Sequence, residues 1–188
     1  MTMRKLMVAA VFAGLAVGCA KRVAAQGTSP HDAAAYFPLA VGNRWTYATQ
    51  FLGQQVEEKV EIVQKDGGYY VDNQGNRITV DAYGVRDEKR YLLREPVEVG
   101  RAWSNVVSVQ SAEHYRVLQV GQECASPAGK FVGCVRVEGR NRVKEGTTLV
   151  NELTFAPKVG LVSMVVVLEE NGKRVPQTRR ELTRFELK

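Results

Sequence analysis

From Trp45 to Leu187 the apolar residues recur at every second position in short runs, each cut off by glycine, proline or asparagine. A period of two places alternate side chains on opposite faces of a strand, whereas a helix needs apolar residues three and four apart. No stretch of this region keeps the helical spacing for more than two turns. Trp45, Tyr47, Thr49 and Phe51 share one side of a first strand, which Gly53 ends. Val56, Val60 and Ile62 then line one face of the next, with Glu57, Lys59 and Glu61 on the other, as in an antiparallel sheet with one buried side. Gly67-Gly68 turns the chain into Tyr69-Tyr70-Val71, and Asn73-Gln74-Gly75-Asn76 turns it again into Ile78, Val80 and Ala82. Lys144-Glu145-Gly146 leads into Leu149, Leu153 and Phe155. The nearly all-apolar run from Leu161 to Leu168 predicts a central strand buried on both faces. Asn171-Gly172 is a tight-turn signal. Pro176 cannot donate to a ladder, which predicts that the last strand begins at a sheet edge. The pattern predicts about nine to eleven short strands, all antiparallel, in one all-β domain over residues 36–188. Its architecture is a curved sheet or half-barrel, or a barrel-like sandwich. The strands are too irregular, and their alternation too poor, for an outer-membrane barrel.

The clearest hairpin runs from Tyr115 to Cys124, through Ala125-Ser126-Pro127-Ala128-Gly129, and back from Phe131 to Gly139. Cys124 and Cys134 flank this turn on neighbouring strands, so a disulfide between them is expected; two half-buried thiols are the alternative. A second feature is an internal echo. Pro38-Leu39-Ala40-Val41-Gly42-Asn43-Arg44-Trp45 is matched by Pro96-Val97-Glu98-Val99-Gly100-Arg101-Ala102-Trp103, 58 residues later. A shorter version is Pro157-Lys158-Val159-Gly160. Proline blocks pairing, glycine permits a sharp turn, and the tryptophan seeds the core of the following strand. A turn used repeatedly accounts for the echo; duplication of a β-meander is the alternative.

Residues 1–18 place the protein. Arg4 and Lys5 precede an apolar run of about twelve residues, Leu6 to Val17, followed by small residues and Cys19. This is the layout of a signal peptide, and the run is short of the roughly 20 residues that span a membrane. Leu15-Ala16-Val17-Gly18-Cys19 resembles the lipobox of bacterial lipoproteins, although Ala16 stands where leucine is usual and Leu15 lies one place earlier. The resemblance implies that Cys19 is acylated, is the first mature residue, and carries two or three chains, enough for a permanent anchor. Ala20, rather than aspartate, implies the outer membrane, with the domain on its periplasmic side. An ordinary cut after Val23-Ala24-Ala25 would instead release a soluble exported chain. Residues 19–35, alanine-rich and polar with Gly27, Pro30 and His31, read as a flexible tether. Cys19 apart, an even pair of cysteines remains, which suits an oxidising compartment. Without Arg4 and Lys5 the net charge falls from +6 to +4. A pI of 9.3 fits a mildly basic surface, and an exported chain is not expected to meet nucleic acid.

Three blocks carry a wider resemblance. Tyr36-Phe37-Pro38-Leu39-x-Val41-Gly42-Asn43-x-Trp45-x-Tyr47 resembles the opening of a loose, largely uncharacterised group of bacterial envelope lipoproteins. Pro127-Ala128-Gly129-Lys130-Phe131-x-x-Cys134 resembles a turn of that group, and Ala156-Pro157-x-Val159-Gly160-Leu161-Val162 its closing block. The blocks are structural turns and core aromatics. The resemblance implies an exported β-rich lipoprotein and no particular chemistry.

The residues offer no catalytic or cofactor motif. A serine or cysteine nucleophile would need His114 as its base, and no nucleophile-elbow pattern frames a serine. Cysteine and histidine spacings do not suit zinc, and Asp66, Asp72 and Asp81 are too scattered for a calcium loop. The expectation is therefore a non-enzymatic envelope protein without a cofactor. Its first form is an accessory module acting on a protein partner, with a surface patch and no deep pocket. Its second form is a carrier or sensor of a lipophilic ligand, held in a cavity lined by Trp45, Tyr47, Trp103, Phe131 and Phe155.

Overall fold

The structure, a computed structural model, describes residues 32–188 apart from Leu52 and Gln110. The expected signal peptide, Cys19 and His31 lie outside the described residues. A single turn of 3-10 helix, Ala33–Tyr36, precedes twelve strands: β1 (Arg44–Phe51), β2 (Gln54–Asp66), β3 (Tyr69–Asp72), β4 (Arg77–Asp81), β5 (Gly84–Arg86), β6 (Tyr91–Arg94), β7 (Ala102–Ser108), β8 (Ser111–Ser126), β9 (Gly129–Lys144), β10 (Thr147–Ala156), β11 (Gly160–Glu170) and β12 (Lys173–Glu186). They form one antiparallel sheet in the order β6-β5-β4-β3-β2-β1-β12-β11-β10-β9-β8-β7. Apart from β12 returning beside β1, every pairing joins strands consecutive in sequence, and of the consecutive strands β6 and β7 alone do not pair. The chain thus runs up and down around a nearly closed barrel, and its backbone ladder is interrupted between β6 and β7.

Two expectations need correction. Twelve strands exceed the expected nine to eleven, because β5 and β6 have three and four residues, too few to display a period of two. Pro176 stands at a local edge, as expected: the pairing of β12 with β1 ends at Phe51 and Thr178, so the start of β12 has a strand neighbour only in β11. The ladder accommodates the proline with a bulge, Val166 pairing with Thr178 and Val167 with Pro176, so that Gln177 is the extra residue. The ordered fold also reaches into the stretch read as tether. Asp32 caps the helical turn through its carboxylate, and Ala33 and Tyr36 are buried against Val85, Leu93 and Val97.

Strand length divides the barrel into two parts. The strands β3 to β6 are three to five residues long, while β8, β9 and β12 have fourteen to sixteen. Pairing of β2 with β3 stops at Ile62 and Asp72, so the first half of β2 has no backbone partner on that side. The side chain of Asn73 extends the ladder by one rung, accepting from Glu61 N–H and donating to Lys59 O. The short strands therefore wall only one end of the barrel. At the other end, the long strands β2-β1-β12-β11-β10-β9-β8-β7 form a trough open on one side.

Side chains close the seam between β6 and β7. Asn105 accepts from Tyr91 N–H at 3.0 Å and donates to Tyr91 O at 3.1 Å. Trp103 Nε1 donates to the same carbonyl at 2.9 Å. A buried asparagine thus makes the two bonds that a neighbouring backbone would otherwise make.

The echoed segments are two copies of one turn. Asn43 N–H bonds Ala40 O and Arg101 N–H bonds Glu98 O, with Gly42 and Gly100 at φ of 91° and 90°. Each glycine then bonds the following long strand, Gly42 N–H to Ile62 O and Gly100 N–H to Val117 O. An L side chain is strained at this φ, so Gly42→Ala and Gly100→Ala are each expected to lower the unfolding free energy by about 1–2 kcal/mol. Urea titration of both variants checks this, and similar losses are expected because the hydrogen bonding is the same.

The expected disulfide between Cys124 and Cys134 is formed, with Cα atoms 6.1 Å apart across the β8–β9 hairpin. Closing so short a loop is worth about 2.5–3 kcal/mol in the chain-entropy account. Cys124→Ser combined with Cys134→Ser is expected to cost that amount, read as a lowered denaturant midpoint with an unchanged slope.

Candidate functional site

The barrel encloses a cavity of about 430 Å³, within the usual range for small-ligand sites. Its floor lies at the end walled by the short strands. The early turn brings in Phe37, Pro38 and Leu39, β1 contributes Trp45 and Tyr47, and β10 and β11 contribute Leu153, Phe155, Leu161 and Met164. Two hydrogen bonds fix the aromatic wall. Trp45 Nε1 donates to Val159 O at 2.6 Å, and Tyr47 Oη donates to Leu161 O at 3.2 Å. Each ring therefore spends its polar atom on backbone and presents carbon to the cavity. Phe37 packs on Phe155 with ring centroids 5.0 Å apart.

The rim is polar. It comes from the β3–β4 and β5–β6 turns, which contribute Gln74, Asn76, Asp87, Glu88 and Lys89, from Arg77 at the start of β4, and from Arg180 on β12. Asp72 organises the first turn: its carboxylate accepts from Gln74 N–H, Asn76 N–H and the Asn76 amide. Arg77 is spanned by Asp66 and Glu88. Arg180 lies over the Tyr47 ring at 4.1 Å and meets Glu58 Oε1 at 3.0 Å. Glu58 also accepts from Thr49 and Gln74, so one network joins β1, β2, β12 and the β3–β4 turn. Arg180 Nε is buried without a hydrogen-bond partner among the described residues. Such an unpaired donor carries a desolvation cost of about 1–3 kcal/mol.

Three of the five aromatics expected in a cavity line this one: Trp45, Tyr47 and Phe155. The other two do not. Trp103 stacks flat on Tyr115, centroids 5.5 Å apart, beside the seam. Phe131 lies in the β8–β9 hairpin next to the disulfide and tilts against Phe185 at 6.1 Å. Sequence reasoning missed Ile78, Leu92, Leu153 and Met164 on the wall and the whole polar rim. Apart from Arg180, the rim residues sit in or beside turns of short hairpins, where no periodicity marks them.

His114 is hydrogen-bonded to Ser104 at 2.7 Å. The pair is exposed on adjacent strands, its cross-strand neighbour is Arg140, and neither residue lines the cavity.

Burial pushes the Tyr47 hydroxyl well above the ordinary tyrosine range. The Tyr115 hydroxyl is pushed up to about 12 by burial first and by the neighbouring Glu113 carboxylate second. A folded-state pKa above the unfolded value of about 10 gives stability that is complete below pH 10 and lost as pH rises towards 12. For Tyr115 alone the loss is about 2–3 kcal/mol, measurable as a fall in unfolding free energy between pH 9 and pH 12 alongside tyrosinate absorbance.

No family model matches the sequence, and no curated protein matches it. Two crystal structures are similar in fold. One is an inferred lipoprotein from Parabacteroides distasonis ATCC 8503, 12% identical, with a TM-score of 0.40. The other is an inferred exported protein with a YmcC-like fold from Bacteroides fragilis NCTC 9343, 13% identical, with a TM-score of 0.44. Each likeness covers 80% of this chain and 98% of the other.

Proposed function

We propose that this chain is a non-catalytic binding protein of the bacterial envelope, holding the apolar part of an amphipathic small molecule inside its barrel. The observation that carries the reading is the cavity itself: about 430 Å³, apolar at the floor and polar at the rim. An apolar tail meets carbon on the floor, and a polar head meets hydrogen-bonding groups at the mouth, among them Gln74, Lys89 and Arg180. The cavity favours the carrier or sensor over an accessory module acting through its surface alone. The sequence supports the location, with a lipid anchor at Cys19 holding the domain on the periplasmic side of the outer membrane. The test is titration with 1-N-phenylnaphthylamine, whose fluorescence rises in apolar surroundings. The reading expects a saturable one-site rise that a long-chain fatty acid competes away. No rise, or a rise that does not saturate, would overturn it.

A further inference from the structure

The mouth of the cavity opens into the trough, and two hairpins flank the open side of that trough. On one flank is β1–β2 and on the other β7–β8, the outermost of the long strands around the gap. The sequence has no Asp, Glu, Lys or Arg between Arg44 and Glu57, and none between Arg101 and Glu113. Charged residues make up 24% of the chain, so two such intervals, one on each flank, set these hairpins apart. Both present apolar side chains to solvent. Phe51 and Val56 are 54% and 53% exposed on β1–β2, and Val106 and Val109 are 74% and 105% exposed on β7–β8.

We propose that these two hairpins are lips that seat the open end of the barrel on a lipid bilayer, so that a lipophile passes between membrane and cavity without crossing water. The proposal rests on the cavity reading and adds where the ligand is taken up. Three observations select a bilayer as the occupant. The apolar groups stand on separate projecting tips, which suit a fluid medium that closes around each one better than a single rigid partner. The tips carry no charge to desolvate on entering hydrocarbon. The β9–β10 and β11–β12 hairpins lie between the lips in the sheet order and carry Arg142 and Lys173, which make no ion pair among the described residues. They can meet anionic headgroups while the lips enter the acyl boundary; the opposing charges on the same tips are Glu145 and Glu170, the latter paired with Lys144. By alternation of the strands, all four hairpins end at the same end of the barrel.

The test uses the full chain reconstituted in vesicles of phosphatidylcholine with phosphatidylglycerol. Phe51→Cys and Val109→Cys are each labelled with a nitrobenzoxadiazole fluorophore, and Val132→Cys serves as the control. Val132 is 71% exposed on the β8–β9 hairpin at the opposite end. The proposal expects a blue shift at both lips, with quenching by spin-labelled lipid at least fivefold stronger than at residue 132. A second set combines Phe51→Glu, Val106→Glu and Val109→Glu. It is expected to slow transfer of phenylnaphthylamine from vesicles at least tenfold while leaving its binding from solution unchanged. Lips that remain in water by both readouts would overturn the proposal with the cavity reading intact. A blue shift that needs no lipid and grows with protein concentration would assign the lips to a second copy, and would also overturn it. Failure of the probe to bind from solution would instead strike the cavity reading.

Discussion

Met164→Trp is expected to reduce binding of phenylnaphthylamine by at least tenfold while the barrel stays folded. Met164 lies on the cavity wall, with Leu153 and Arg180 as its cross-strand neighbours. An indole there occupies the space that the probe's rings would take, and it does so from a partly exposed position rather than a close-packed one. Overpacking costs about 1–3 kcal/mol, so the far-ultraviolet circular dichroism and the cooperative unfolding transition should survive. Unchanged affinity in a folded variant would place the probe elsewhere on the molecule. Leu153→Trp, facing the same space from β10, provides an independent replicate.

Trp103→Ala should give the largest loss of stability. The ring is buried, stacks on Tyr115, and supplies one of the three hydrogen bonds across the seam. Removing a buried tryptophan costs about 3–5 kcal/mol. The loss should also have a location. With Trp103 gone, Asn105 alone holds Tyr91, and β6 and β7 lack a backbone ladder to share the strain. Amide exchange is therefore expected to accelerate in β6 and β7 well beyond its change in β10 and β11, where both edges are paired. Trp103→Phe keeps an aromatic ring against Tyr115 but removes the Nε1–H bond and part of the buried ring, and should cost about 1–3 kcal/mol, less than alanine. A uniform acceleration across all strands would argue that the seam opens only with the whole barrel.

The class of fold was legible in the sequence because its cause is local. Alternation in Trp45-Tyr47-Thr49-Phe51 and the glycine-bearing turns report strands wherever those strands end up. The Cys124–Cys134 bridge was legible for the same reason, since a hairpin places residues flanking its own turn together. Other features depended on contacts that no spacing encodes. Strands β5 and β6 are held by their neighbours and by the helical turn beneath them. Pro176 signals an edge correctly, since β1 ends before reaching it, but the bulge at Gln177 that seats it against β11 follows from the partner strand. The cavity was half legible. Trp45, Tyr47 and Phe155 are aromatic and line it, but Trp103 and Phe131 are equally aromatic and do not. What separates them is pairing: Trp103 finds Tyr115, and Phe131 finds Phe185. The rim was illegible, because polar turn residues read as solvated until the fold aims them at one mouth.

Whether a ligand sits inside the barrel is asked most directly by native mass spectrometry of the full chain, extracted gently from its own membranes. The expected spectrum shows one small lipophile retained per chain, lost on mild activation and absent from Met164→Trp. A chain that arrives bare, or that holds the same adduct when Met164 is tryptophan, would contradict the assignment of the cavity as the binding site.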